Sequence, residues 1–140
     1  MPAKRRSGYQ TQWAAQFFVA GELSRRGCMV ALTLGNAPRT DLMATSPSGK
    51  SFRVEVKGQA TKNFWIIRRH PVDQDHFYVL VFVPKGGPPD FFVMTCEEVQ
   101  KLREEYAARI AAKGRYRDDL GGLNWTTPHV HRDRWDKLPQ

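Results

Sequence analysis

From Gln10 to Arg26 apolar residues recur at helical spacing, with Trp13, Phe17 and Ala20 on one stripe and Leu23 slightly off it, and Gly27 supplies the C-terminal stop. Cys28 to Leu34 reads as a strand, closed by a turn at Gly35-Asn36-Ala37-Pro38. A strand beginning near Asp41 follows. From Ser51 to Lys57 the period becomes two: Phe52, Val54 and Val56 alternate with Arg53, Glu55 and Lys57, as in a half-buried strand. Phe64-Trp65-Ile66-Ile67 suggests another strand in a run that Pro71 ends. His76 to Pro84 is dense in aromatic and β-branched residues with little alternation, the pattern of a central strand covered on both faces. After the Lys85-Gly-Gly-Pro-Pro loop, Phe91 to Met94 forms a short strand.

Thr95 and Glu98 form a capping box that starts a helix running to about Lys113 and closing at Gly114. Its predicted buried stripe is Val99, Leu102, Tyr106 and Ile110. Glu98, Lys101, Arg103, Glu104, Glu105 and Arg109 make the solvated face. The pattern predicts one α/β domain over residues 1–140: a mixed, mostly antiparallel sheet of about five strands with a helix on either side.

The hairpin from Asp41 to Lys57 carries the candidate chemistry. Glu55 and Lys57 point the same way, roughly 6.5 Å apart along the strand. Where Asp41 points depends on the turn, because a slip of one residue sends a strand's side chains to the opposite face. Pro47 suits the second position of a type I turn, and Gly49 suits the left-handed residue that closes a three-residue loop. That loop pairs Ser46 with Lys50, Met43 with Arg53 and Asp41 with Glu55, whereas a two-residue loop sets Asp41 opposite Val54.

Asp, Glu and Lys on one strand face are disfavoured unless something compensates, since like charges opposite one another destabilise a sheet. A solvated face of mixed charge is one account. A divalent cation is the other: Mg²⁺ takes one or two carboxylates and keeps waters for a substrate phosphate. Asp41, Glu55 and the Val56 carbonyl would form part of its shell, and Lys57 would hold or deprotonate the attacking water. Glu22, on the last turn of the first helix and close in sequence to its apolar positions, is a fourth candidate.

The order of helix with Glu22, strand, strand with Asp41, and strand with Glu55-Val56-Lys57 resembles the PD-(D/E)xK nuclease superfamily over about residues 8 to 60. Thr40 stands where the name-giving proline would be, which many members lack. The layout looks most like the Holliday junction resolvase-like branch and small single-domain relatives, although Phe64 to Ile67 suggests a strand where a resolvase begins a helix. The resemblance implies a restriction endonuclease-like fold and Mg²⁺-dependent hydrolysis of DNA phosphodiesters, with Mn²⁺ as a substitute. It places metal binding on Asp41, Glu55, Val56 and Glu22, assistance to the attacking water on Lys57, and a supporting role on Gln59.

Charge agrees with a polyanionic partner: 22 Lys and Arg against 14 Asp and Glu give the 140 residues a net charge of +8. Lys62, Arg68, Arg69 and His70 around Trp65 follow the candidate site and suit the grip on a DNA strand, unless the aromatics are core and the cations its rim. So do Arg132 and Arg134 in the basic, aromatic segment 115–140, unless its Trp125 and Trp135 simply anchor a tail across the domain. His129 and His131 lack a third ligand at zinc spacing.

The longest apolar run, Phe77 to Val83, is far shorter than the roughly 20 residues of a membrane span. The start, a basic arm over residues 1–9, has no signal-peptide stretch. Cys28 and Cys96 lack metal-ligand spacing and read as buried thiols of a reducing cytoplasm. The rival to an enzyme is a nucleic-acid-binding or partner-binding protein that keeps this fold without using its site; a nuclease cutting both strands symmetrically would be a homodimer.

Overall fold

The computed structural model describes residues 6–140. The basic positions among residues 1–5, part of the expected N-terminal arm, lie outside them. Helix α1 (Gly8–Arg25) is followed by strands β1 (Met29–Leu32), β2 (Leu42–Thr45), β3 (Ser51–Gln59), β4 (Trp65–Ile66), β5 (His76–Phe82) and β6 (Asp90–Thr95). Helix α2 (Cys96–Ala111) and strand β7 (Gly122–Leu123) complete the regular elements, and short 3₁₀ turns carry the chain to its end. The main sheet has five strands in the order β1-β2-β3-β5-β6, and only the β3–β5 pairing is parallel. Strands β4 and β7 pair separately. The α/β class, mixed sheet and two helices therefore agree with the sequence pattern. Among the described residues no helix is long and apolar enough to cross a membrane.

Strand β5 is buried along almost its whole length because both faces are covered. Phe77, Val79 and Val81 join Phe52, Val54, Val56 and the α1 residues Ala15, Val19 and Leu23 in one core layer. Tyr78 and Leu80 join Phe92, Met94, Trp65 and the α2 residues Cys96 and Val99 in the other.

The helix α1 stripe is rotated from the expected one. Thr11, Ala15, Gln16, Val19 and Leu23 are buried, while Phe17 is 57% exposed and Trp13 lies partly in solvent. The reason lies on β3. A Cβ at Gly58 would come within 2.7 Å of Ala15 Cβ and 3.2 Å of the Thr11 carbonyl. Helix and strand are so close that only small side chains fit between them, and the aromatics turn outward.

Helix α2 has its predicted capping box between Thr95 and Glu98, but Arg103, expected on the solvated face, is 1% exposed. The chain around β4 and residues 116–121 covers that side, and its carbonyls need donors. Arg103 supplies them, donating to Ile67 O at 2.6 Å and Asp118 O at 2.9 Å. Gln100 is buried for the same reason, donating to Arg68 O and holding the His70 amide.

The C-terminal segment is an anchored tail. Trp135 and Leu138 enter the α1-side core, and Trp125 stacks on Trp65 with ring centroids 5.6 Å apart. His129 stacks on Phe92 and His131 meets Lys137, so the two histidines share no ligand. Of the thiols, Cys96 is buried but Cys28 only half-buried, and loss of solvation pushes both above their ordinary range.

Filling the gap at Gly58 is expected to be expensive. Gly58→Ala should destabilise the fold by about 1–3 kcal/mol, as overpacking does, lowering the urea midpoint at unchanged m-value. Pairing it with Ala15→Gly should restore part of the loss, which the same denaturation curves would show.

Candidate active site

The hairpin adopts the register set by its turn. Gly49 is left-handed at φ +92°, the Ser46 amide donates to Lys50 O, and Met43 pairs with Arg53. The ladder ends at Leu42 paired with Val54. Beyond it Asp41 leaves strict register: its amide donates to Val54 O, so the expected pairing of Asp41 opposite Glu55 does not form.

That departure leaves the β2-facing backbone groups of Val56 and Gly58 without a neighbouring strand, and side chains replace it. The Val56 amide donates to Asp41 Oδ2 at 2.7 Å. Gln12, from α1, donates through Nε2 to Val56 O at 2.7 Å and accepts the Gly58 amide on Oε1 at 2.9 Å. One glutamine thus continues the ladder for two further groups, as buried backbone requires. Gln16, one turn on, donates to Asp41 Oδ1 at 3.3 Å.

On the opposite face of β3, Glu55 is 6% exposed. Its Oε2 lies 3.1 Å from Lys57 Nζ. Its Oε1 is buried without a hydrogen-bond partner, 3.5 Å from His76 Nε2 and 3.7 Å from His70 Nε2. Gln12, Arg39, Asp41, Glu55, Val56, Lys57, Arg68 and His70 surround a cleft of about 280 Å³.

Asp41, Glu55, Val56, Lys57 and Arg68 are therefore brought to one cleft, and the other predicted site residues are not. Glu22 is ion-paired with Arg25 and Arg26. It stands six residues past Gln16, about 120° away around the helix, so it faces a different flank. Gln59 donates to Phe64 O and turns toward that loop. Trp65, offered as a strand contact, is 1% exposed and belongs to the core. Arg69 is engaged by Glu104 and Asp118, Arg132 by Asp90 and Arg134 by Asp136. Lys62 is exposed but does not line the cleft.

Sequence reasoning missed Gln12, Gln16, Arg39 and His76, while His70, expected in the basic cluster after the site, does line the cleft. The i, i+4 spacing of Gln12 and Gln16 was visible, but glutamine carries no metal or acid signal. Arg39 lay in an expected turn, where the chain holds it at a left-handed φ of 56°. Among the described residues no group of three or more His, Cys, Asp and Glu side chains is placed to hold a metal ion. Any cation here would draw its protein ligands from the carboxylate pair and backbone oxygen, with water completing the shell.

The two carboxylates are tuned in opposite directions. Burial pushes Asp41 above the usual carboxylate range, aided by the negative charge of Glu55 and opposed by the Val56 amide. Burial also acts upward on Glu55, but His76 and Lys57 beside it outweigh that and hold its pKa below the ordinary carboxylate value. Burial pushes His70 down.

These shifts predict opposite stability profiles. Asp41 is harder to ionise folded than unfolded, so its charge weakens the fold above its folded pKa, and that penalty fades as pH falls. Asp41→Asn, which keeps an acceptor for Val56, should melt at a higher temperature than wild type at pH 7, with the gap closing in acid. Glu55 stabilises above its unfolded pKa and loses that contribution as pH falls through its folded one. Glu55→Gln should melt lower at pH 7 and converge with wild type near pH 3. Thermal melts across that range check both.

Comparisons of the chain with protein-family models, with curated proteins and with solved structures return no match.

Proposed function

We propose that this protein is a metal-dependent endonuclease of the PD-(D/E)xK type, with a restriction endonuclease-like fold, acting on DNA phosphodiesters. The observation that carries the reading is the meeting of Asp41, Glu55 and Lys57 in one cleft, with Arg39 and Arg68 on its lining. Two carboxylates beside a lysine suit hydrolysis, and the arginines suit the phosphate on which it would act.

The residues fit a hard cation. Glu55 Oε1 is a buried oxygen with no donor, and the other donors to hand, the Asp41 carboxylate and the second lone pair of Val56 O, are also oxygens. Mg²⁺ bound by Asp41, Glu55 and Val56 would supply Lewis acidity toward the phosphoryl oxygen.

The remaining roles belong to the chain. Gln16 and the Val56 amide fix the Asp41 carboxylate from two sides. Lys57 is one-third exposed, so its ammonium can reach a water in the cleft while Glu55 anchors it. It would orient or deprotonate that water. Arg39 and Arg68 would hold nonbridging phosphate oxygens against the attack.

One observation favours a second reading, a nucleic-acid-binding module without catalysis: the first helix offers the cleft glutamine amides, and Glu22 is held by arginines elsewhere. Calorimetric titration with Mn²⁺ separates the two. Wild type should bind at millimolar metal and Asp41→Ala should not; absence of binding by the wild type would sink the catalytic reading.

Cutting gives an independent check. At least one plasmid, linear or branched DNA should be cleaved with Mg²⁺ or Mn²⁺. Lys57→Ala should slow cleavage by about 10²-fold or more, the usual weight of a positioned proton acceptor, while DNA affinity stays within about threefold. Normal cutting by that variant would remove the role given to Lys57.

A further inference from the structure

Helix α1 carries aromatic residues on the outside. Tyr9, Trp13 and Phe17 follow one another at i, i+4 and i+8, so they form a single row. Tyr9 is 73% exposed, and Trp13 is partly exposed. The rings touch: Tyr9 meets Trp13 edge-on with centroids 6.1 Å apart, and Trp13 stacks on Phe17 at 5.6 Å. The close packing at Gly58 explains why these side chains point outward, but not why they are large and aromatic where polar residues would keep the surface soluble.

Their position is informative. Gln12 and Gln16 form the neighbouring row around the helix, and those are the side chains that hold Val56, Gly58 and Asp41 at the cleft. Trp13 lies about 100° round from Gln12 and 60° from Gln16. Thus the aromatic row borders the cleft wall. No acidic residue occurs on α1 before Glu22, and Glu22 is neutralised by Arg25 and Arg26. An apolar row free of negative charge, beside a cleft containing Arg39, Lys57 and Arg68, suits a polyanion that also presents flat apolar faces.

We infer that Tyr9, Trp13 and Phe17 form a stacking platform for unpaired nucleotide bases, delivering a single-stranded segment of nucleic acid to the cleft. Paired bases hide their faces within the duplex, so only an unpaired segment can use such a surface. A second copy of the chain fits less well. Three aromatic side chains offer at most roughly 450–750 Å², already partly covered by one another, against about 800 Å² per partner in a stable interface.

The inference rests on the nuclease reading for its substrate, and the test keeps the two apart. Binding is measured without divalent metal, by anisotropy of labelled oligothymidylate and oligouridylate of about 20 nucleotides and of a duplex of equal length. Trp13→Ala and Tyr9→Ala should each weaken single-strand binding about tenfold or more while changing duplex binding less than twofold. Phe18→Ala, on the opposite flank and 44% exposed, should bind as wild type. Far-UV circular dichroism confirms that the variants fold.

Tryptophan emission supplies a readout specific to stacking, because Trp65 and Trp135 are buried and Trp125 is packed on Trp65. Oligonucleotide should quench the wild type. Trp13→Phe should keep affinity within about threefold and lose most of the quench. Equal losses on single strands and duplexes, or no loss in Trp13→Ala, would overturn the platform. So would a wild-type dimer in sedimentation that Trp13→Ala makes monomeric. Cutting with Mn²⁺ is read separately: a protein that binds single strands through Trp13 yet cuts nothing retains the platform and loses the nuclease reading. One that cuts while Trp13→Ala binds normally does the reverse.

Discussion

The close seat of α1 on β3 governs both the core and the cleft. At Gly58 the strand has no side chain, and Ala15 and the Thr11 backbone occupy the space that one would fill. This approach lets Gln12 reach the free edge of β3 beyond the end of β2, where its amide bonds Val56 O and the Gly58 N–H. A helix held further away would leave those backbone groups unpaired in a half-buried place, at roughly 1–3 kcal/mol each. The same seat turns Trp13 and Phe17 outward. Core packing, sheet termination and the aromatic row are therefore consequences of one short distance.

The edge of β3 is also where the site acquires its shape. Had β2 continued in register past Leu42, its backbone would have met Val56, and the Asp41 carboxylate would have had no amide to accept. Because the strand ends there, Asp41 takes the place of a backbone carbonyl. It is held by Val56 and Gln16 rather than by a rotamer preference alone. This is a rigid way to place a buried carboxylate, and rigidity of that kind keeps the reorganisation cost of charge chemistry small.

Much of this was legible in the sequence. Pro47 and Gly49 specified the hairpin register through the turn they favour, and Thr95 with Glu98 specified the start of α2. Strand alternation put Glu55 and Lys57 on one face, whereas Asp41 reaches the cleft by leaving the register expected for it. Three things were not legible, for one physical reason each. The face of α1 was misjudged because hydrophobicity ranks Trp13 and Phe17 above Thr11 and Ala15, whereas packing against Gly58 selects for size. Arg103 was assigned to solvent because its partners, Ile67 O and Asp118, come from segments whose folding over α2 leaves no local periodicity. Glu22 erred differently: closeness in sequence to apolar positions says nothing about which flank of a helix meets a strand end.

The unequal tuning of the carboxylates bears on how the cleft would meet the cation of the proposed reading. Glu55 keeps its charge because Lys57 and His76 lie beside it. Asp41 is less well compensated for its burial, with a single backbone amide as its main offset. On the proposed nuclease reading, removing Lys57 does more than take away the group beside the water, since it also strips Glu55 of its ion-pair partner near the half-buried Asp41. A cation bound in the cleft would take over the charge compensation that the lysine now gives Glu55. Metal affinity in Lys57→Ala should accordingly hold or rise even as catalysis falls, and a loss of affinity would mean that the lysine orders the carboxylates rather than competing with the ion for them.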